Sequence, residues 1–77
     1  MKLEGFTEAQ DWCKRFPDGG AWFDVMTRSE KVLCSVFVNS FDISERFVRN
    51  AARQILHDEK SYMYREVNNL ILKHRGM

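Results

Sequence analysis

Basic side chains recur at intervals of three or four residues in the second half of the sequence. The set comprises Arg46, Arg49, Arg53, His57 and Lys60. This spacing places all of them on one face of an α-helix, where they could lie along a phosphate backbone and release its counterions. The sequence therefore predicts a polyanion-binding face as one interpretation. The simpler interpretation is a solvated helix face that nearby acidic residues partly neutralise.

Nucleophiles and metal ligands are few and widely separated. Cys13, Cys34, His57 and His74 lack the short CxxC or HxxxH spacings of zinc sites, so we expect no metal and no cofactor. A cysteine paired with His57, with Asp58 as its orienting carboxylate, is the catalytic alternative. Both cysteines lie in apolar patterns, which favours reduced, buried thiols. With no GxSxG, HExxH or phosphate-loop motif, we predict that the chain is not an enzyme and has no small-molecule substrate.

Length and composition indicate one small globular domain spanning residues 1–77. The chain is 44% hydrophobic and 30% charged, with one proline and a formal net charge of +1. This balance argues against disorder and gives no overall attraction to nucleic acid or to anionic membranes. Met1 to Thr7 carries no apolar run, and the longest apolar stretch is far shorter than a membrane span. We therefore expect a cytoplasmic protein.

The first half of the sequence predicts an α+β fold that begins with a short helix and a β-hairpin. The helix spans Thr7–Phe16, with Thr7 as its N-cap, and ends before the turn Pro17-Asp18-Gly19-Gly20. Residues 21 to 38 are rich in β-branched and aromatic types and predict two strands joined at Arg28 to Lys31. A continuous helix is the alternative for this stretch. A third strand from Lys2 to Phe6 could support the hairpin.

The loop length predicts which residues face each other across the hairpin. Pairs on one face are Thr27 with Val32, Val25 with Cys34 and Phe23 with Val36; pairs on the other are Met26 with Leu33, Asp24 with Ser35 and Trp22 with Phe37. Asp24 is the sole carboxylate on these strands. Its pKa could be raised by burial, and a hydrogen bond to Ser35 or the backbone is the simpler alternative.

The second half of the sequence predicts two amphipathic helices. Asp42 and Glu45 form a capping box before the first helix. Its apolar stripe consists of Phe47, Val48, Ala51, Ala52 and Ile55, and the stripe of the second consists of Met63, Val67, Leu70, Ile71 and His74. The two stripes point in different directions, so we place a break between residues 57 and 61. One bent helix over residues 43–74 is the alternative.

The number of large apolar side chains exceeds what one small core readily buries, which predicts a protein interface. The candidates are Trp22, Phe37, Tyr62, Met63, Val67, Leu70 and Leu72. Ordinary core packing is the simpler interpretation. We expect a small regulator, inhibitor or assembly factor that binds another protein, with a homodimer as the simplest case. Small inhibitors encoded by phages or mobile elements are often of this size. Nucleic-acid binding through the basic helix face is the alternative function.

Overall fold

The described part of the chain folds into a four-stranded sheet with two α-helices. A computed structural model describes residues 1–59 and 68–76. In chain order its elements are strand β1 (Lys2–Glu4), helix α1 (Phe6–Arg15), strands β2 (Gly20–Met26) and β3 (Val32–Asn39), a 3₁₀ helix (Ser40–Asp42), helix α2 (Glu45–Glu59) and strand β4 (Ile71–His74). The strand order in the sheet is β1-β4-β2-β3. β4 runs parallel to β1 and antiparallel to β2, and β2 runs antiparallel to β3.

The predicted order of a helix, a hairpin and two C-terminal helices is wrong. Ile71 to His74 form β4 between β1 and β2, so neither a second C-terminal helix nor one bent helix reaches these residues. Leu70, Leu72 and His74 are buried and the residues between them are not, which is the alternation of a strand. Leu70, Ile71 and His74 also fit the spacing of a helical stripe, which is why the sequence predicted a helix here. The remaining members of that stripe, Met63 and Val67, lie outside the described residues.

The hairpin has the predicted pairing over most of its length. Trp22 faces Phe37, Asp24 faces Ser35, and Val25 faces Cys34. A β-bulge then pairs Met26 with Val32 instead of Leu33. The hydrogen bond from the Thr27 N–H to the Lys31 carbonyl (2.9 Å) closes the loop in place of the predicted pairing of Thr27 with Val32. The predicted third strand exists as β1, but it pairs with β4 rather than with the hairpin.

Both helices begin at residues other than those predicted. α1 starts after Gly5, whose φ of 74° is a left-handed conformation that glycine adopts without strain, so Thr7 is not its N-cap. At the start of α2 the Phe47 N–H donates to the Ser44 Oγ (3.1 Å), so Ser44 caps this helix instead of Asp42. Serine and aspartate are both good caps, and the sequence alone does not decide between them.

One hydrophobic core lies between the sheet and the two helices. α1 packs against β2 and β4, and α2 packs against β3. The buried residues from the two helices and the sheet form a single cluster: Ala9, Cys13, Ala21, Phe23, Val25, Val36, Val38, Val48, Ala52, Leu56, Leu70 and Leu72. Both helices therefore cover the same face of the sheet. In the part of the chain that the structure describes, no helix is long and apolar enough to cross a bilayer.

Two adjacent glycines provide a test of how β2 and β3 meet. A Cβ at Gly20 would collide with the Val38 carbonyl oxygen and would lie 2.6 Å from Cζ of Phe37. A Cβ at Gly19 would make ordinary contacts with Phe16, 3.5 Å from its carbonyl oxygen and 3.7 Å from its Cβ. We expect Gly20→Ala to lower the free energy of unfolding by about 1–3 kcal/mol through this overlap. The matched variant Gly19→Ala should stay within about 1 kcal/mol of wild type. Urea denaturation measures both, and equal effects would contradict the described pairing.

Candidate functional site: the open face of the sheet

The face of the sheet opposite the helices is left open by the described elements. Alternation along β2 places Phe23 and Val25 under the helices and directs Trp22 and Asp24 to the other side. The residues that share this side on the three longest strands are Trp22, Asp24, Met26, Ser35, Phe37, Ile71 and Lys73. We call this surface the open face. An antiparallel sheet commonly has one solvated face, but such a face is normally polar.

Two aromatic side chains stand at the centre of the open face. Trp22 and Phe37 are cross-strand neighbours whose ring centroids lie 5.2 Å apart with planes tilted by 57°. Both are exposed, by 45% and 46% respectively. The guanidinium carbon of Arg75 lies 5.1 Å from the centroid of the Trp22 ring, within the range of a cation–π interaction. The pair therefore forms a defined aromatic platform held by its neighbours.

A polar network borders the platform. Arg75 donates from Nη2 to Asp24 Oδ1 (2.7 Å) and to Ser35 Oγ (2.8 Å), and the Ser35 hydroxyl donates to Asp24 Oδ1 (2.7 Å). The hydrogen bond from Arg75 is the main reason that the pKa of Asp24 is lowered. Burial opposes this effect, and the hydrogen bond from Ser35 adds a smaller lowering contribution. The hydrogen bond to Ser35 was predicted, and a raised pKa for this carboxyl group is wrong.

The Asp24 network predicts a measurable titration. A lowered folded-state pKa means that this carboxylate stabilises the fold above its unfolded pKa, and that the contribution is lost as pH falls through the folded pKa. We expect a ¹³C-detected NMR titration to give Asp24 a pKa below the usual value of an aspartate side chain. Arg75→Gln should raise that pKa, because it removes the charged donor. Ser35→Ala should raise it less. An unchanged pKa in Arg75→Gln would contradict the geometry of the network.

The structure divides the predicted interface residues into two groups. Trp22 and Phe37 lie on the open face, whereas Leu70 and Leu72 are only 6% and 0% exposed and belong to the core. A surface patch that includes these two leucines is therefore wrong, because β4 directs Leu72 under the helices instead of onto a helix surface. The other predicted interface residues, Tyr62, Met63 and Val67, lie outside the described residues.

The predicted basic helix face is only partly available. Arg46, Arg53 and His57 are exposed on α2, while Lys60 lies outside the described residues. Arg49 is drawn away from the face: it makes two hydrogen bonds to Glu45 Oε1 (3.0 and 3.1 Å) and a third to the Met1 carbonyl. A basic or solvated helix face implies that Arg49 is exposed like its neighbours. This prediction is wrong, because the Arg49 side chain is only 27% exposed.

The amino group of Met1 lies near the charges of Arg49 and Arg53. The pKa of the Met1 amino group is lowered, first by desolvation and then by the nearby charges of Arg49 and Arg53.

The apolar stripe predicted for α2 differs from the buried face of this helix: Phe47 is exposed, and Leu56 is buried together with Val48 and Ala52.

Two features of the site were missed by sequence reasoning. Arg75 was not among the predicted site residues, although it extends β4 and donates its N–H to the Trp22 carbonyl (2.8 Å). Phe41, in the 3₁₀ helix, is 82% exposed. The alternation of Leu70, Leu72 and His74 is a sequence signal consistent with β4, but it does not by itself exclude a helix or place Arg75 beside Trp22.

The groups considered for catalysis or metal binding do not assemble among the described residues. Cys13 and Cys34 are not joined in a disulfide; the first is buried and the second partly buried. His74 is a buried strand residue, not a helix-terminal cation, and its Nδ1 lies 2.7 Å from Glu8 Oε1. Over residues 1–59 and 68–76, no cluster of three or more His, Cys, Asp or Glu side chains could hold a metal ion.

Comparisons with protein-family models, curated proteins and solved structures give no match to this chain. The open face and its aromatic platform therefore have to be interpreted from their own chemistry.

Proposed function

We propose that this chain is a small non-catalytic protein-binding module whose contact surface is the open face, centred on Trp22 and Phe37. The observation that carries the proposal is that these two rings are in contact with each other and half exposed on a sheet face that no described helix covers. Tryptophan, tyrosine and arginine dominate the residues that contribute most to protein interfaces. The module would act as a regulator, inhibitor or assembly factor by occupying a partner's surface.

The surroundings of the platform suit a protein partner. Asp24, Ser35 and Arg75 satisfy one another's hydrogen bonds, so a partner can cover them without leaving a buried group unpaired. Arg75 also holds Trp22 in place, which reduces the side-chain entropy lost on binding. A preorganised aromatic centre with a satisfied polar border is the usual composition of an interface.

Charge pairing on the open face disfavours a nucleic acid as its partner. Arg75 is paired with Asp24, and Lys2 lies 3.5 Å from Glu4. Lys73 is the cross-strand neighbour of both Glu4 and Asp24. Stacking platforms for single-stranded nucleic acid combine aromatic rings with a positively charged groove, and cations already neutralised by carboxylates do not form one. Cys13 and Cys34 are not joined in a disulfide, which suits a reducing compartment, so we propose that the module acts in the cytoplasm.

The proposal is tested by quantitative affinity capture from the cells that express the chain. The double variant Trp22→Ser/Phe37→Ser removes the platform without touching the core. Phe41→Ser is the matched control, because it removes an even more exposed aromatic side chain that lies outside the open face. We expect the double variant to lose the specific partner and the control to retain it. Equal recovery of the same proteins by wild type and the double variant would contradict the proposal.

The second candidate function is polyanion binding by α2. It is favoured by a shallow depression on this helix that is lined by Arg46, Arg49, Asn50 and Arg53 together with Glu45. A titration against duplex DNA and RNA at two salt concentrations tests it. Binding that weakens steeply with salt would support the candidate, and absence of binding at low salt would remove it.

Charge reversal on α2 distinguishes arginines that only line its surface from an arginine that contributes to folding stability. Arg46 and Arg53 are exposed, so the double variant Arg46→Glu/Arg53→Glu should change the free energy of unfolding by no more than about 0.5 kcal/mol per site. Arg49→Glu should destabilise the protein more, because it places a carboxylate against Glu45 and removes the contact with the Met1 carbonyl. Thermal denaturation distinguishes them. A double variant less stable than Arg49→Glu would show that the exposed arginines carry structural contacts.

A further inference from the structure

The two edges of the sheet differ in how they are protected against pairing with another strand. β1, at one edge, is three residues long and carries Lys2 and Glu4. β3, at the other, is eight residues long with the sequence VLCSVFVN, which contains no charge and no proline. Short length, charge and proline are the means by which monomeric proteins block their edges. The β3 edge lacks all three, and its β-bulge is confined to the end near the hairpin loop.

Hydrogen bonding in the hairpin shows which backbone groups of β3 face outward. The Ser40 N–H donates to the Gly19 carbonyl (2.9 Å), so Gly20 and Asn39 form a non-hydrogen-bonded pair. By alternation, the N–H and C=O of Val36 and Val38 point to β2, and those of Ser35, Phe37 and Asn39 point away from it. No described strand pairs with that outer side. Three consecutive donor–acceptor pairs therefore form a regular edge beyond the bulge.

We propose that a second copy of this chain occupies the β3 edge, with the two β3 strands antiparallel about a two-fold axis at Phe37. This inference goes beyond the proposed function, because it assigns a partner to the β3 edge and not to the open face. In this register Ser35 faces Asn39 of the second copy, and Val36 faces Val38. The ladder would contain about six hydrogen bonds, two for each outward-facing pair. The two sheets become one sheet of eight strands.

Side-chain chemistry favours a second copy over an unrelated strand. On the open face the register places the two Phe37 rings opposite each other, so that the two Trp22–Phe37 pairs form one continuous aromatic row. Cross-strand aromatic pairs of this kind stabilise sheets. Under the helices, β-branched Val36 and Val38 face each other. On the open face, Ser35 lies opposite Asn39 of the second copy. A strand without charge meets no like charge when it pairs with itself, which is the condition for a self-complementary two-fold contact.

The helix above β3 leaves apolar surface on its outer side. Arg49 of α2 reaches the Met1 carbonyl next to β1, at the opposite edge of the sheet. Phe47 precedes Arg49 by two residues and so projects from nearly the opposite side of the helix, away from β1. This ring is exposed. Continuation of the sheet through β3 brings a second α2 to the same layer, where Phe47 would be covered.

Backbone methylation tests the inference without changing a side chain. Cys34 provides a ligation junction for chemical synthesis of the full chain, so an N-methyl group can be placed on the Phe37 amide, which points outward from β3. The Leu3 amide is the matched control: the Lys2 N–H donates to the Leu70 carbonyl, so that of Leu3 points outward at the β1 edge. Sedimentation equilibrium should show a wild-type dimer. N-methyl-Phe37 should weaken it at least about tenfold, and N-methyl-Leu3 should leave it unchanged.

A second measurement on the unmodified chain keeps the inference testable if the methylated chain fails to fold. In a mixture of isotope-labelled and unlabelled protein, Val36 should show intermolecular contacts to Val38 of the other copy, since their Cα atoms would lie about 4.5 Å apart. A wild-type monomer at about 100 μM, or equal weakening by both methyl groups, would overturn the inference. If wild type is a monomer but Trp22→Ser/Phe37→Ser fails to capture a different partner, the inference is wrong and the proposed function is still supported. If wild type is a dimer but that double variant captures the same partners as wild type, the inference is supported and the proposed function is wrong.

Discussion

Phe23→Ala is expected to lower the free energy of unfolding by about 3–5 kcal/mol, the largest effect of any substitution considered. Phe23 is the largest side chain that is completely buried, and it lies at the centre of the sheet between β3 and β4. Its ring packs 5.5 Å from the imidazole of His74. Truncation would leave a cavity in the core between the sheet and the helices, which a rigid sheet closes only in part.

The loss is large compared with the stability of so small a protein. A domain of 77 residues is stabilised by about 4–12 kcal/mol, so the variant would lose much or all of its folded population. Urea denaturation measures the change, and Phe23→Leu is the matched control, expected to cost no more than about 1.5 kcal/mol because it nearly conserves volume. A cost below about 1 kcal/mol for Phe23→Ala would show that the ring is not in the core.

Trp22→Ala is expected to weaken binding of the specific partner by at least about 2 kcal/mol, or roughly thirtyfold, while the fold is retained. The side chain is half exposed in the free protein, so little of its apolar area contributes to folding. In the complex the same ring would be fully desolvated. The substitution also removes the cation–π partner of Arg75. Isothermal titration with the captured partner measures the affinity.

The matched control for Trp22→Ala is Phe16→Ala. Phe16 is also aromatic and about half exposed, but it contacts Trp12 at the end of α1 and does not lie on the open face. We expect its affinity for the partner to equal that of wild type. If both variants bind equally well, the aromatic platform does not contribute to recognition and its exposure has no role in binding.

The hairpin was predictable from sequence because its information is local. Strands of β-branched and aromatic residues flank the polar cluster Arg28 to Lys31, and this arrangement is sufficient to set the pairing up to Val25 and Cys34. The bulge at Met26 was not predictable, because it depends on how the Thr27 N–H and hydroxyl bind Lys31 across the loop. A one-residue change of this kind leaves no trace in hydrophobic periodicity.

The C-terminal strand was not predictable because its information is non-local. β4 has only four residues, and their apolar pattern fits a helix as well as a strand. What selects the strand is parallel pairing with β1, which joins Leu3 to Leu72 across almost the whole chain. The same pairing places Arg75 beside Trp22. Sequence reasoning thus identified the aromatic residues of the site, whereas the network that holds them depends on the order of strands in the sheet.

Site-specific photo-crosslinking tests the central claim, that the open face binds protein, most directly. A photoreactive phenylalanine analogue at position 37 keeps an aromatic ring on the open face, and the same analogue at position 41 is the control on an exposed ring elsewhere. In living cells we predict discrete covalent adducts with protein at position 37, abolished by Trp22→Ser, and none of the same mass at position 41. Adducts at position 41 but not at position 37, or adducts at position 37 that persist in Trp22→Ser, would contradict the claim.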